Sequence, residues 1–243
     1  VVLLNKSDLA DPAATRAFLK VYEGMGFRAL SMTATNSQKK GAAVELLQEA
    51  VRDEVERLEK KGVKKTVRIL VAGIPNVGKS TFINRLAGSN RAQVGDRPGV
   101  TKGKQWVKVS PYLELMDTPG LLWPKLSDPL LARHLAYIGS IKDDILDVEE
   151  LAMNLLDEVR RNYPDLVAQR YKLDAETLAL PPYELMEAIG RKRGLLVRGG
   201  EVNTERCAIM LVDEFRACKW GRISLERPPQ RDDLADFAEE DDE

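Results

Sequence analysis

The sequence predicts an α/β protein: a sheet built around a phosphate-binding loop over residues 1–143, an all-helical segment over 144–227 and a disordered acidic tail over 228–243. Three observations predict it. The apolar run TVRILVAGI feeds Gly73-Ile74-Pro75-Asn76-Val77-Gly78-Lys79-Ser80, and a helical pattern follows at once, the context that such a cradle needs. Strand and helix patterns alternate up to about residue 143. Beyond it the strand signal nearly disappears.

Taken in order, VVLL reads as a buried strand running into the loop Asn5-Lys6-Ser7-Asp8. Residues 12–26, with Phe18, Leu19 and Tyr22, read as a helix that ends near Gly24 or Gly26. FRALSMTA is a second strand. Val44, Leu47, Val51, Val55 and Leu58 fall on one face of a single amphipathic helix, and KKGVKK is a basic linker. KSTFINRLAG is the helix after the glycine-rich loop, with Ile83 and Leu86 inward. QWVKV and YLELMD read as an antiparallel pair. In the later part Asp147 caps a helix that stops before Pro164, and Pro182 is a first-turn proline. Asn203 or Thr204 caps a last helix carrying Cys207, Leu211, Phe215 and Cys218 on one stripe.

Composition narrows the class. With 243 residues, 44% of them hydrophobic, the chain can bury one large core or two smaller ones. No apolar run approaches the ~18 residues of a membrane span, and Val1 onward does not read as a secretory leader, which leaves open one ahead of Val1, since the chain starts without Met. The two cysteines, placed on one helix, would lie ~16 Å apart, too far for a disulfide. With one histidine, they are too few for a structural zinc site. A reducing, cytoplasmic setting fits. The net charge of −1 hides regional differences: +9 over 1–143, −7 over 144–190, +4 over 191–230 and −7 beyond. The basic regions suit a phosphate-rich partner, and equally a solvated surface with a solubilising tail.

The chemistry lies in four short stretches. The glycines of the cradle let backbone N–H groups close around phosphate oxygens, and the helix N-terminus adds positive charge. Lys79 is placed to bridge the β- and γ-phosphates and Ser80 to ligate Mg²⁺. Asp117-Thr118-Pro119-Gly120 ends a strand 37 residues after Ser80; its carboxylate can hold Mg²⁺ through water, and the Gly120 N–H can sense the γ-phosphate. Thr101, in RPGVTKG between the two, is a candidate second Mg²⁺ ligand on a loop that orders around a triphosphate. In Asn5-Lys6-Ser7-Asp8, the Asp8 carboxylate can accept from guanine N1–H and the 2-amino group, donors that adenine lacks in that geometry. Asn5 can reach guanine N7 or tie loops together, the Lys6 stem can cover the base, and Thr33-Ala34 can offer a backbone N–H to guanine O6. By itself the stretch could equally be a capped helix start.

Together these residues strongly resemble a circularly permuted GTPase, most closely the ribosome biogenesis GTPase A family. The order is NKSD, Thr33-Ala34, GIPNVGKS, Thr101, DTPG; GDRPGVTKGKQWVKV, DTPGLLWPK and FRACKWGRISLE match further, so the resemblance reaches to about residue 226. It implies a monomeric GTPase that acts late in assembly of the large ribosomal subunit. The helical segment would contact ribosomal RNA of the precursor, and Arg191, Lys192, Arg193, Arg198, Lys219 and Arg222 agree with that. The implied GTP/GDP site comprises Asn5, Lys6, Asp8, Thr33, Ala34, Asn76, Val77, Gly78, Lys79, Ser80, Thr81 and Gly120. Lys79, Thr101 and Gly120 are its catalytic groups, and Ser80, Thr101 and Asp117 its Mg²⁺ ligands. Asn76 stands where potassium-activated GTPases carry asparagine, and either holds K⁺ or braces the loop.

The residue after DTPG is Leu121, where a water-orienting glutamine stands in Ras-type enzymes. Hydrolysis is then expected to be slow alone and stimulated by the ribosomal particle. The alternative is a GTP-dependent placeholder on RNA whose hydrolysis is incidental. His134 is expected to have a packing or helix-surface role, and the family's catalytic histidine is expected upstream of NKSD. The GTPase topology also places a strand between the cradle strand and VVLL. That strand and its helix are expected to precede Val1 in a longer protein.

Overall fold

The computed structural model describes residues 1–36, 39–62, 66–88, 105–110, 113–122 and 126–228. It opens with β1 (Val2–Leu4), α1 (Pro12–Gly24) and β2 (Ala29–Ser31). The two strands are parallel, Val2 opposite Ala29, and α1 is the crossover that a parallel pair requires. The helix starts where it does because the Asp11 carboxylate accepts from the N–H groups of Ala13 and Ala14 (2.7 and 3.4 Å) and Pro12 fits the first turn.

The expected single helix across residues 44–58 is two, α2 (Lys40–Ala50) and α3 (Arg52–Lys60), interrupted at Val51. α2 buries Ala43 and Leu47, but α3 buries none of its residues, so no packing partner holds the second half in line with the first. Next come β3 (Val67–Val71), α4 (Lys79–Ala87), β4 (Gln105–Ser110) and β5 (Leu113–Asp117). β5 is the middle strand, parallel to β3 and antiparallel to β4 as the sequence reading expects. Its side chains alternate with the pleat, burying Leu113, Leu115 and Asp117. Phe82, Ile83 and Leu86 of α4 pack with Leu47, Met32, Val107 and Leu115 in one buried cluster.

Among the described residues, β1–β2 and β3–β5–β4 are two separate hydrogen-bonded sheets. Among these residues β1 pairs with β2 alone, and β3 with β5 alone. On β3, Leu70 is 57% exposed, unusual for an apolar residue on the strand that feeds a phosphate loop.

The rest is helical apart from a short 3₁₀ turn at Asp143–Ile145 and the isolated bridge Leu196–Val202: α5 (Pro129–Tyr137), α6 (Val148–Asn162), α7 (Pro164–Tyr171), α8 (Ala175–Leu178), α9 (Pro182–Lys192) and α10 (Thr204–Arg216). Asp147 caps α6 and Asn203 caps α10. A second, larger cluster gathers Leu155 and Leu156 of α6, Leu185 and Ile189 of α9, Leu211 of α10, and Trp220 beyond it. Ala136 and Tyr137 of α5 join this cluster rather than the sheet. α10 ends at Arg216, so the two cysteines do not share a helix: Cys218 sits in the following turn with a left-handed backbone (φ 57°). Both thiols are free. No helix of the described residues is long and apolar enough to cross a membrane.

His134 of α5 is buried, not on the surface. Its Nε2 lies 2.7 Å from Glu158 Oε1 and its Nδ1 3.2 Å from Glu226 Oε1. The Glu226 and Glu158 carboxylates hold the imidazole above its ordinary value of 6.5, against the opposing effect of burial, and His134 in turn holds Glu226 below its ordinary 4.5. A raised histidine stabilises fully below its unfolded value and loses that contribution as pH rises through the folded one. A depressed carboxylate contributes above its unfolded value and loses it as pH falls through the folded one. His134→Gln should therefore lower the melting temperature at pH 6 and have a smaller effect at pH 9. An equal loss at both pH values would show that the histidine acts by packing alone.

Candidate nucleotide-binding site

The cradle is the loop between β3 and α4. Gly78 has a left-handed backbone (φ 93°), and a Cβ there would lie 2.5 Å from Asn5 Nδ2, so the position accepts only glycine. Lys79 turns back over the loop, its Nζ donating to the carbonyls of Gly73 (2.9 Å) and Ile74 (2.8 Å). Burial lowers its pKa, and the nearby Asp117 carboxylate opposes that. An anionic phosphate oxygen is a better acceptor for an ammonium than these two carbonyls, so the lysine is held over the space that phosphates would fill.

Asp117 ends β5 and is 1% exposed. The Ser80 hydroxyl donates to its Oδ2 (2.7 Å), while Oδ1 is buried with no hydrogen-bond partner among the described residues. An orphaned carboxylate oxygen beside a hydroxyl is costly, and it fits a small, hard cation that takes oxygen ligands. Ser80 and Asp117 thus suit Mg²⁺. The turn is fixed by Thr118, whose hydroxyl donates to Val71 O (2.7 Å), and by the Leu121 N–H, which donates to Gly73 O (3.3 Å). Gly120 lies directly against the cradle. Thr101 lies outside the described residues.

Asn5 joins the Asp8 side of the site to this one. Asn5 Nδ2 donates to Val77 O (2.8 Å), and Asn5 Oδ1 accepts from the Ala34 N–H (2.9 Å). Of the two roles open to Asn5, the structure shows the strut between loops. Thr33 donates to Asp8 Oδ1 (3.0 Å) and orients the carboxylate. Asn5, Lys6, Asp8, Thr33, Ala34, Gly78 and Thr81 all line one open cavity. Lys79, Ser80, Asp117 and Gly120 cluster beside the cradle. Asn76 points the other way: its Nδ2 donates to Gly139 O (2.5 Å), and Ser140 adds a buried bond to Pro75 O (2.8 Å). The turn after α5 therefore braces the cradle from behind.

Residues 68–179 match the family described as 50S ribosome-binding GTPase. The chain is 42% identical over 229 residues to ribosome biogenesis GTPase A of Bacillus licheniformis, covering 94% of this chain and 80% of that protein. It is 31% identical to that of Thermotoga maritima, with 94% and 76% covered. The chain belongs to the ribosome biogenesis GTPase A family. Two solved structures are similar as well. A GDP-bound structure of TM YlqF has a TM-score of 0.64 at 26% identity, covering 93% of this chain and 83% of that one. GNP-bound YlqF from T. maritima gives 0.60 at 26%, covering 94% and 81%.

This GTPase thus has the fold of its family and hydrolyses GTP. Several residues that shape its site gave no signal in the sequence. Arg85 of α4 donates from Nε to Ala34 O (3.0 Å) and from Nη2 to Thr35 O, pinning the loop after β2. Gly139 and Ser140 also act on the cradle, from 63 and 65 residues away. Of the basic residues expected to face RNA, Lys192 donates to Lys172 O (2.6 Å) and Arg193 lies over the Tyr171 ring near Glu214. Arg222 is bonded to the backbone of the loop that carries Asp8.

Proposed function

We propose that this GTPase assists late assembly of the large ribosomal subunit. It would bind ribosomal RNA of the precursor particle through residues 144–227 and act as a cytoplasmic monomer. The observation that carries the GTP-binding half of this reading is the juxtaposition of Asp8, oriented by Thr33, with the cradle through the Asn5 strut. Large-subunit binding is supported by the description of the matching family and by the names of the relatives. We read the chain as a circularly permuted GTPase domain over 1–143 and a helical RNA-binding domain over 144–227; the acidic tail expected beyond them lies, from residue 229 on, outside the described residues. Permutation keeps each site residue in place and changes only the order along the chain.

In this reading Asp8 reads the guanine edge, and the Ala34 N–H lies at the same cavity. Lys79 exchanges the Gly73 and Ile74 carbonyls for the β- and γ-phosphates. Gly120 N–H donates to the γ-phosphate. Ser80, Thr101 and Asp117 would hold Mg²⁺, which offsets negative charge on the phosphate oxygens. Leu121 is 66% exposed and has no side-chain donor or acceptor to orient water, so intrinsic turnover is slow and the particle completes the site. Asn76 braces the cradle through Nδ2, and holding K⁺ is the further role that the resemblance implies for it. Hydrolysis should run faster in potassium than in sodium chloride, and Asn76→Ala should remove the difference. Equal rates for the unaltered protein would leave Asn76 the bracing role only.

The test is co-sedimentation with large-subunit precursors in a non-hydrolysable GTP analogue and then in GDP, with single-turnover hydrolysis measured with and without particles. Analogue-dependent binding and strong stimulation are expected. Binding without stimulation would favour a GTP-dependent placeholder, the reading to which Leu121 lends weight. No binding in either state would defeat both.

A further inference from the structure

The loop that carries Asp8 is held from outside by the stretch that follows α10. Arg222 donates from Nη2 to Ser7 O (2.6 Å) and from Nε to Ala10 O (2.9 Å). The Ile223 N–H donates to Leu9 O (3.1 Å), and the Asp11 N–H to Ser224 Oγ (3.2 Å). Three successive residues thus grip the backbone on both sides of Asp8. The stretch is itself anchored in the helical cluster. Trp220 is buried there, edge-on to Tyr171 and Phe215, and the Tyr163 hydroxyl donates to Ser224 O (3.0 Å). Gly221 has φ 120°, a conformation that L side chains rarely adopt, and a Cβ there would press on Leu166 Cδ2 at 3.0 Å.

We infer that Arg222 is a positioning residue for guanine recognition. A carboxylate that accepts two hydrogen bonds from one base edge has to be placed within a few tenths of an ångström, because such bonds weaken steeply with distance and angle. Inside the loop, among the bonds described, Asp8 is steadied by Thr33 and by the Ser7 N–H donating to Met32 O (3.1 Å). The planar guanidinium adds two bonds at once, to carbonyls one residue before and two residues after Asp8, and so removes the loop's freedom to roll about its own axis. Because Arg222 hangs from the helical cluster, the placement of that cluster sets how well the base is read. The inference rests on Asp8 as the guanine reader.

The test compares equilibrium binding of GDP and of inosine diphosphate, which lacks the 2-amino group, to the whole chain and to Arg222→Ala and Arg222→Lys. The unaltered protein should prefer GDP. Arg222→Ala should lose at least about tenfold in GDP affinity, with the GDP/IDP ratio falling toward one. Arg222→Lys, able to keep one bond, should fall between. A merely destabilised protein has less competent material but an unchanged ratio. If Arg222→Ala does not fold, the lysine variant decides by the same ratio. An unchanged ratio in a variant that still binds GDP overturns the inference alone. An unaltered protein that shows no GDP preference overturns the Asp8 reading and the inference with it.

Discussion

Asp8→Asn should cost the protein roughly 10³-fold in affinity for GTP and turn its preference toward xanthosine triphosphate. Two charge-assisted hydrogen bonds from the base edge are worth about 1.5–3 kcal/mol each, and an amide facing the 2-amino group opposes donor to donor. Xanthine carries a carbonyl in place of that amino group, so the same amide becomes a partner. The structure favours a clean outcome. Thr33 Oγ1, which donates to Asp8 Oδ1, can keep its bond to the oxygen of an asparagine. The Asn5 strut does not touch the substituted side chain, so the two loops should stay joined. Binding titrations with GTP and XTP decide it, and undiminished selectivity for GTP would remove Asp8 from the base-reading role.

Gly120→Ala should reduce GTP hydrolysis by about 10²-fold or more. A Cβ on Gly120 would lie 2.5 Å from Pro75 Cα, 2.6 Å from Pro75 N and 2.8 Å from Pro75 Cγ. Two of those atoms are backbone, so the conflict is relieved only by moving the cradle or the turn after β5. Either movement shifts the Leu121 N–H away from Gly73 O and alters the approach of Asp117 to Ser80. The γ-phosphate should suffer more than the β-phosphate, since the Gly120 N–H is proposed to face the former. GDP affinity should thus fall less than affinity for a non-hydrolysable GTP analogue. Single-turnover rates and the two affinities together check this, and a variant with normal turnover would show that the two loops separate when nucleotide binds.

What could be read in the sequence were the features that local chemistry dictates. A strand, a glycine-rich loop and a helix announce the cradle because each has its own residue pattern. Asp11, Asp147 and Asn203 mark helix starts because a short polar side chain is needed there. Contacts between distant segments left no such mark. Nothing in FRACKWGRISLE says that Arg222 will reach Ser7, 215 residues back. Nor does the Gly139-Ser140 pair suggest a brace behind Pro75 and Asn76. The break at Val51 was hidden for another reason: the apolar spacing continues through it, while burial does not. His134 was read only as far as its type and helix allowed, because its two glutamates lie 24 and 92 residues away.

Backbone amides should report the two buried clusters as units of different cohesion. In α6, α9 and α10, opening an amide requires parting Leu155, Leu185, Ile189 and Leu211, all fully shielded from water, so hydrogen exchange there should approach the slowest in the molecule. β1 and β2 are three residues each, with every residue only half-buried, so smaller fluctuations suffice to expose their amides than in the helical cluster. A nucleotide spanning Asp8 and Lys79 would tie this looser portion to β3 and α4. Its loss should speed exchange in β1 and β2 while leaving α6 and α9 nearly unchanged. Emptying the pocket would then soften the guanine-reading portion first and leave the helices as a folded handle on whatever they hold.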